Sequence, residues 1–111
     1  MAVQPIQIAA PQWSYNAKTT IYSAPAGTRV RIDYCAWANI DPTTSGNMVQ
    51  FSLFIGPPGA SERILNKTVL VHETYLCPEA IGALLIGGDE IHIVASAKDM
   101  LFGQINGVTF T

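Results

Sequence analysis

Residues 81 to 96 read Ile-Gly-Ala-Leu-Leu-Ile-Gly-Gly-Asp-Glu-Ile-His-Ile-Val-Ala-Ser: an apolar segment, a glycine turn, then alternation. Ile91, Ile93 and Ala95 fall on one face, and His92, Val94 and Ser96 on the other. A period of two is the mark of a strand with one buried side. Gly87-Gly88-Asp89 can take the positive φ that a tight reversal needs. The same format recurs along the chain. From Thr28 to Ala38, Val30, Ile32, Tyr34 and Ala36 face one way, and Arg29, Arg31, Asp33, Cys35 and Trp37 the other. Val49, Phe51, Leu53 and Ile55 alternate with Gln50, Ser52 and Phe54. Leu101, Gly103 and Ile105 alternate with Phe102 and Gln104. Asn106-Gly107 then predicts a bulge, beyond which Val108 and Phe110 carry the buried face to Thr111. Shorter strands are expected at Ile21–Ser23, within Glu62–Val71 and near Thr74–Leu76. Between them lie the Ala24-Pro25-Ala26-Gly27 turn, read as type II with Pro25 presetting φ, a polar loop from Asn39 to Asn47, the Gly56–Gly59 stop and a Lys98-Asp99 turn.

No stretch carries a helical apolar period over ten residues; Ala80–Ile86 allows one turn at most. About eight short strands at regular spacing predict an all-β, two-sheet antiparallel sandwich, with a jelly roll among its arrangements. The expected core is Val30, Ile32, Tyr34, Phe51, Leu53, Ile91, Ile93, Ile105 and Val108.

The first twenty residues break the format. Pro5 and Pro11 flank Ile6 and Ile8, and Trp13 and Tyr15 follow. Proline excludes a central strand and leaves an edge strand or an extended arm. We divide the chain into an N-terminal extended arm, 1–20, and a β-sandwich domain, 21–111. Trp13 can pack on its own domain or dock on a neighbouring subunit. On the second reading Ile6, Ile8, Trp13 and Tyr15 are the candidate partner contacts.

Composition sharpens this picture. Apolar residues make up 49% of the 111 and charged residues 13%, against an average of about 25%. So little charge on a small domain points to a surface partly covered by partners. The net charge is −2 and no basic patch is visible, which argues against nucleic acid. No apolar run approaches the roughly 20 residues of a membrane span. The start lacks the basic-then-apolar pattern of a signal peptide, so a reducing cytoplasm, or a particle assembled there, is the expected setting. In that setting Cys35 and Cys77, outside any CxxC pattern, are expected as half-buried free thiols rather than a disulfide. The Asn66-Lys67-Thr68 sequon is then a chance match.

Catalytic and cofactor chemistry find no foothold. His72 and His92 are the two histidines, expected as solvated strand residues, at no metal-ligand spacing from Glu73 or Asp89. No serine sits on a nucleophile elbow, Cys35 lies mid-strand rather than at a helix N-terminus, and Asp89 and Glu90 point to opposite faces. Gly87-Gly88 lacks the lysine and helix of a phosphate loop. Trp37, Phe54 and Tyr22 could line a sugar-stacking platform, against the alternative of simple core packing.

Five pieces in order carry a resemblance: Ile21-Tyr22-Ser23-Ala24-Pro25-Ala26-Gly27-Thr28, the strand ending Ala38-Asn39, Arg63-Ile64-Leu65, Gly87-Gly88-Asp89-Glu90-Ile91, and Ile105-Asn106-Gly107-Val108. Together they resemble small β-sandwich virion proteins of tailed bacteriophages, over about Ile21 to Thr111. The resemblance implies a non-enzymatic structural protein without cofactor, most naturally a head decoration or cement protein in the virion. Its implied partners are the major capsid protein, other virion proteins and further copies of itself. A tail-associated or receptor-proximal module of similar fold is the runner-up, and a carbohydrate-binding module is the rival from another class.

Overall fold

The computed structural model describes residues 3–40, 48–60, 62–97 and 99–110. Most of the expected Asn39–Asn47 loop, Lys98 of the expected turn and the terminal Thr111 lie outside them. Nine strands form among the described residues: β1 Val3–Trp13, β2 Thr19–Ser23, β3 Arg29–Asn39, β4 Val49–Gly56, β5 Arg63–Val69, β6 Thr74–Tyr75, β7 Leu84–Ile86, β8 Glu90–Ala95 and β9 Leu101–Phe110. The fold is all-β, with two antiparallel sheets and no helix among the described residues.

One sheet has the order β1-β9-β3, with β6 and β7 both pairing along the free edge of β3; the other has the order β2-β8-β4-β5. The pairing is nested: β1 with β9, β2 with β8, β3 with β6 and β7, β4 with β5. A long hairpin folded over on itself gives this nesting. Consecutive strands β1 to β2, β2 to β3 and β3 to β4 therefore switch sheets.

The β2–β3 switch is knitted to that between β7 and β8. In the β2–β3 turn Thr28 N–H donates to the Pro25 carbonyl at 3.3 Å, and Gly27 has φ +78°. The turn is closed one residue later than Ala24–Gly27, so Pro25 opens it rather than occupying its second position. The β7–β8 reversal closes from Asp89 N–H to the Ile86 carbonyl at 2.9 Å, with Gly88 at φ +97°. The Asp89 carboxylate also accepts from Ile86 N–H at 3.0 Å. The turns bond to each other through Ala24 N–H to Asp89 O (2.8 Å), Gly88 N–H to Ala24 O (2.9 Å) and Gly87 N–H to Thr28 O (2.9 Å). A Cβ on Gly87 would stand 2.8 Å from both the Gly27 nitrogen and the Pro25 oxygen, so only glycine lets them close.

The core lies between the sheets and includes Val30, Ile32, Phe51, Leu53, Ile91, Ile93 and Ile105, all buried as expected. Tyr34 and Val108 are not in it: Tyr34 is exposed and Val108 half-buried. For Tyr34 the reason is a bulge on β3. Ile32 faces Gly107 and Tyr34 faces Asn106, so Asp33 is an extra residue. One extra residue inverts every side chain beyond it. Cys35 and Trp37 consequently turn inward beside Val30 and Ile32, and Tyr34 turns out. β9 itself runs unbroken, with Leu101, Gly103, Ile105 and Gly107 all buried, so no bulge falls at Asn106-Gly107.

The division at residue 20 does not follow the hydrogen bonding either. β1 pairs with β9 from Val3↔Phe110 to Trp13↔Phe102 and belongs to the same sheet as β3. Two register shifts on β1 accompany this, one of which leaves Ile8 and Ala9 adjacent and both buried. β1 lies at the sheet edge, where Pro5 and Pro11 cost no ladder bond on the free side.

Candidate interaction face

The outer face of the five-stranded sheet has no second layer over it among the described residues. The register sets its side chains in rows. Ile86, Arg29, Phe110 and Val3 stand abreast across β7, β3, β9 and β1, and Leu84, Arg31, Val108 and Pro5 form the next outward row. Ile86 is 61% exposed and Val3 58%. Leu85 and Val30, in the intervening row, point inward and are fully buried. Farther along, Tyr34 and Ala36 on β3 stand beside Asn106 and Gln104 on β9, and Ala38 beside Phe102 and Trp13. Trp13 packs edge-on against Phe102, with ring centroids 5.1 Å apart at 66°. A shallow groove between Pro11, Tyr34, Ala38 and Thr74 crosses this end.

Across these rows the charged residues are Arg29, Arg31 and Asp33, all on β3. Arg31 Nε donates to Asp33 Oδ1 at 2.7 Å, and its guanidinium lies 5.6 Å from the Phe110 ring centroid. The hydrogen bond to Asp33, then its charge, holds the guanidinium even more firmly protonated than usual. The solvated face of an antiparallel sheet is normally polar; the grouping of Leu84, Ile86, Val108, Phe110 and Val3 around two arginines marks an interaction site.

The four candidate contacts from the N-terminal segment do not converge. Ile8 is buried in the core and Ile6 packs against it, whereas Trp13 and Tyr15 stay partly exposed. Tyr15 is pinned at its carbonyl by Ala95 N–H at 2.8 Å, and its hydroxyl reaches Gln12 Oε1 at 3.3 Å. The residues that sequence reasoning passed over are Leu84, Ile86 and Arg29. The signal was present: Leu84-Leu85-Ile86 is apolar at three successive positions, and a strand wetted on one side would have alternated.

The outer face of the four-stranded sheet is different in kind. Gln50, Ser52, Arg63, Asn66 and Ser96 line a shallow polar groove there. Beside it His92, expected as solvated, is 91% buried, since its relative exposure is 9%. Its Nε2 lies 2.9 Å from Glu90 Oε1 and 3.0 Å from Thr20 Oγ1. A carboxylate can only accept, so Nε2 carries the proton. Nδ1 is buried with no hydrogen-bond partner among the described residues. Glu90 also accepts from Gly59 N–H at 2.9 Å, and Lys18 Nζ donates to the Gly59 carbonyl at 2.9 Å. The bond from Gly59 N–H, then the one from His92, holds the Glu90 carboxyl below its usual range. His72 by contrast is exposed, on a turn with φ +63°.

The sugar platform does not assemble. Trp37 is fully buried, Tyr22 packs against the core, and Phe54 stands alone on the outer face with Lys18 Nζ 4.5 Å from its centroid. Among the described residues no three His, Cys, Asp or Glu side chains gather as a metal site, and no helix is long and apolar enough to cross a membrane.

No family model matches this chain. No curated protein matches it. A solved structure of the infectious bursal disease virus Gx strain aligns with 97% of this chain and 31% of its own, at 12% identity and a TM-score of 0.37. This chain thus spans about a third of that one, and a TM-score so low is too loose to establish a shared fold.

Proposed function

We propose that this chain is a non-enzymatic structural protein of a virus particle, a decoration or cement protein that docks through the outer face of its five-stranded sheet. The observation that carries the reading is the pair of rows ending at Ile86 and Leu84, in which only Arg29 and Arg31 stand among outward apolar side chains. The ordered motifs that resemble tailed-phage virion proteins supply the setting, and the nested strand pairing is read as jelly-roll winding, a form that builds viral shells and lectins. Three strands about 4.8 Å apart and roughly ten residues long, with the short β6 and β7 along one edge, give a footprint of roughly 550 Å². That is about two-thirds of the roughly 800 Å² per partner of a standard interface. The partner is the major capsid protein or another virion protein, with further copies of this chain beside it. Trp13 and Tyr15 extend the contact at its far end, while Ile6 and Ile8 belong to the chain's own core.

The test uses two exposed positions whose replacement leaves the core untouched. Leu84→Asp with Ile86→Asp should leave the melting temperature within about 3 °C and weaken binding to particles lacking the protein at least tenfold. Unchanged binding would remove this face as the contact. A tail-associated module would dock by the same face, and electron microscopy of the intact particle separates head from tail. The carbohydrate-binding reading is favoured by one observation, the amide- and hydroxyl-lined groove of Gln50, Ser52, Asn66 and Ser96 on the opposite face. Binding of the isolated protein on a glycan array, abolished by Asn66→Ala, would favour it.

A further inference from the structure

Cys35 and Cys77 are 42 residues apart in sequence, yet the fold sets them face to face. β3 and β6 pair antiparallel with Trp37↔Tyr75 and Ala38↔Thr74. The ladder ends at Tyr75, and the chain then turns so that the Cys77 thiol comes within hydrogen-bonding reach of the Cys35 sulfur. Both thiols are free and buried, deeper than the sequence suggests, and both belong to the central core cluster. Sulfurs within hydrogen-bonding reach need only a small approach to meet the roughly 2 Å bond length of a disulfide. Cys77 also has φ +48°, a left-handed backbone that it shares with Ala60, His72 and Asp99 and that costs a residue with a Cβ. Strain of this kind is held where it positions a group; here it carries the Cys77 side chain back under the sheet, where its thiol donates to the Tyr75 carbonyl at 3.7 Å.

We propose that Cys35 and Cys77 form a reversible intramolecular disulfide when the protein meets a hydroperoxide, tying β3 to the segment between β6 and β7. One cysteine sulfur attacks the peroxide, breaks its O–O bond and becomes a sulfenic acid, with one water released. The other thiol then displaces the hydroxyl, forming S–S and releasing a second water. Two S–H bonds are lost and hydrogen peroxide is reduced to two waters. Hydrogen bonding to Cys35, and burial after it, push the Cys77 thiol up from its ordinary value of 9.0. Thiolate is the reactive form, so the reaction is slow near neutrality and quickens as pH rises. Access requires a local opening only, because the flanking Leu76 and Pro78 are exposed.

The test is on the whole, folded, fully reduced protein treated with hydrogen peroxide at pH 7 and pH 9. Both thiols should be lost together, and non-reducing peptide mapping should recover a Cys35–Cys77 peptide about 2 Da lighter than its two reduced halves. The cross-linked protein should melt on the order of 10 °C higher, the pH 9 rate should exceed that at pH 7, and dithiothreitol should reverse everything. Cys35→Ser should abolish the mass loss and leave Cys77 to take up oxygen. Thiols still titratable after treatment, a gain of oxygen on either cysteine of the unmutated chain, or disulfide-linked dimers would each overturn the proposal; oxygen taken up by the exposed Met48 does not bear on it.

Discussion

Ile93 is fully buried, opposite Leu53 on β4 and Thr19 on β2. Ile93→Ala should cost about 2–5 kcal/mol in chemical denaturation, because the methyls it removes leave a cavity that the flanking strands cannot close. Its phase was readable from Glu90 to Ser96 because the register shift there, at Ile21, falls on β2 and leaves β8 itself in phase. The same alternation misled at Tyr34, because the register shift at Asp33 leaves no mark in composition. Its trace lies on the neighbouring strand. A Cβ on Gly107 would overlap the Arg31 carbonyl, and one on Gly103 would overlap the Ala36 carbonyl and the Trp37 ring. Gly103→Ala should therefore destabilise by about 1–3 kcal/mol through overpacking, measured by urea melts; a neutral outcome would mean that Trp37 does not lie across β9. Glu90 supplies a prediction in pH. Its folded carboxyl titrates below the ordinary 4.5, so its contribution is complete above that value and is lost as pH falls through the lower folded one. Glu90→Gln should flatten the acid arm of the stability profile below about pH 5 and leave the alkaline arm unchanged.

At the scale of elements, β1 marks where sequence reasoning stopped short. Its two prolines permitted an edge strand or a free arm, and no local property separates those. The choice is made by β9, whose outer edge offers unpaired backbone groups to whatever segment can reach it. Removing residues 3–13 should lower the melting temperature sharply and expose that edge, with aggregation following. This is because Ile8 and Ala9 leave the core with the strand. A melt within a few degrees of the intact chain would show instead that β1 is held only weakly. β6 and β7 were legible as short apolar pieces, but not as successive partners of one strand. That sharing depends on the tertiary path between them, which turns on the left-handed Cys77 and Gly82.

For the whole molecule, regular strand spacing and the absence of a helical period were enough to predict two antiparallel sheets. Which strand joins which sheet was not legible, because the turns that look like hairpins are crossovers. The β2–β3 turn and the β7–β8 turn each carry the chain between layers and are bonded to each other by three backbone hydrogen bonds. The proposed docking face could not be read from periodicity for a related reason. Outward residues contributed by four strands from both ends of the chain become neighbours only through the register. Circular dichroism of the isolated protein should accordingly show a strand spectrum without helical minima.

The place of β9 has a consequence for how the chain reaches this state. It lies between β1 and β3 and holds both, yet it is made after every other described strand. The four-stranded sheet can form from β2, β4, β5 and β8 while β1 and β3 still lack their shared partner. Insertion of the late strand is thus the step that closes the sandwich, and contacts so distant in sequence make it slow. Until it occurs, β1 and β3 each present an open edge beside unburied Val30 and Ile32, so crowded synthesis should favour mispairing between nascent chains over any fault in the finished fold.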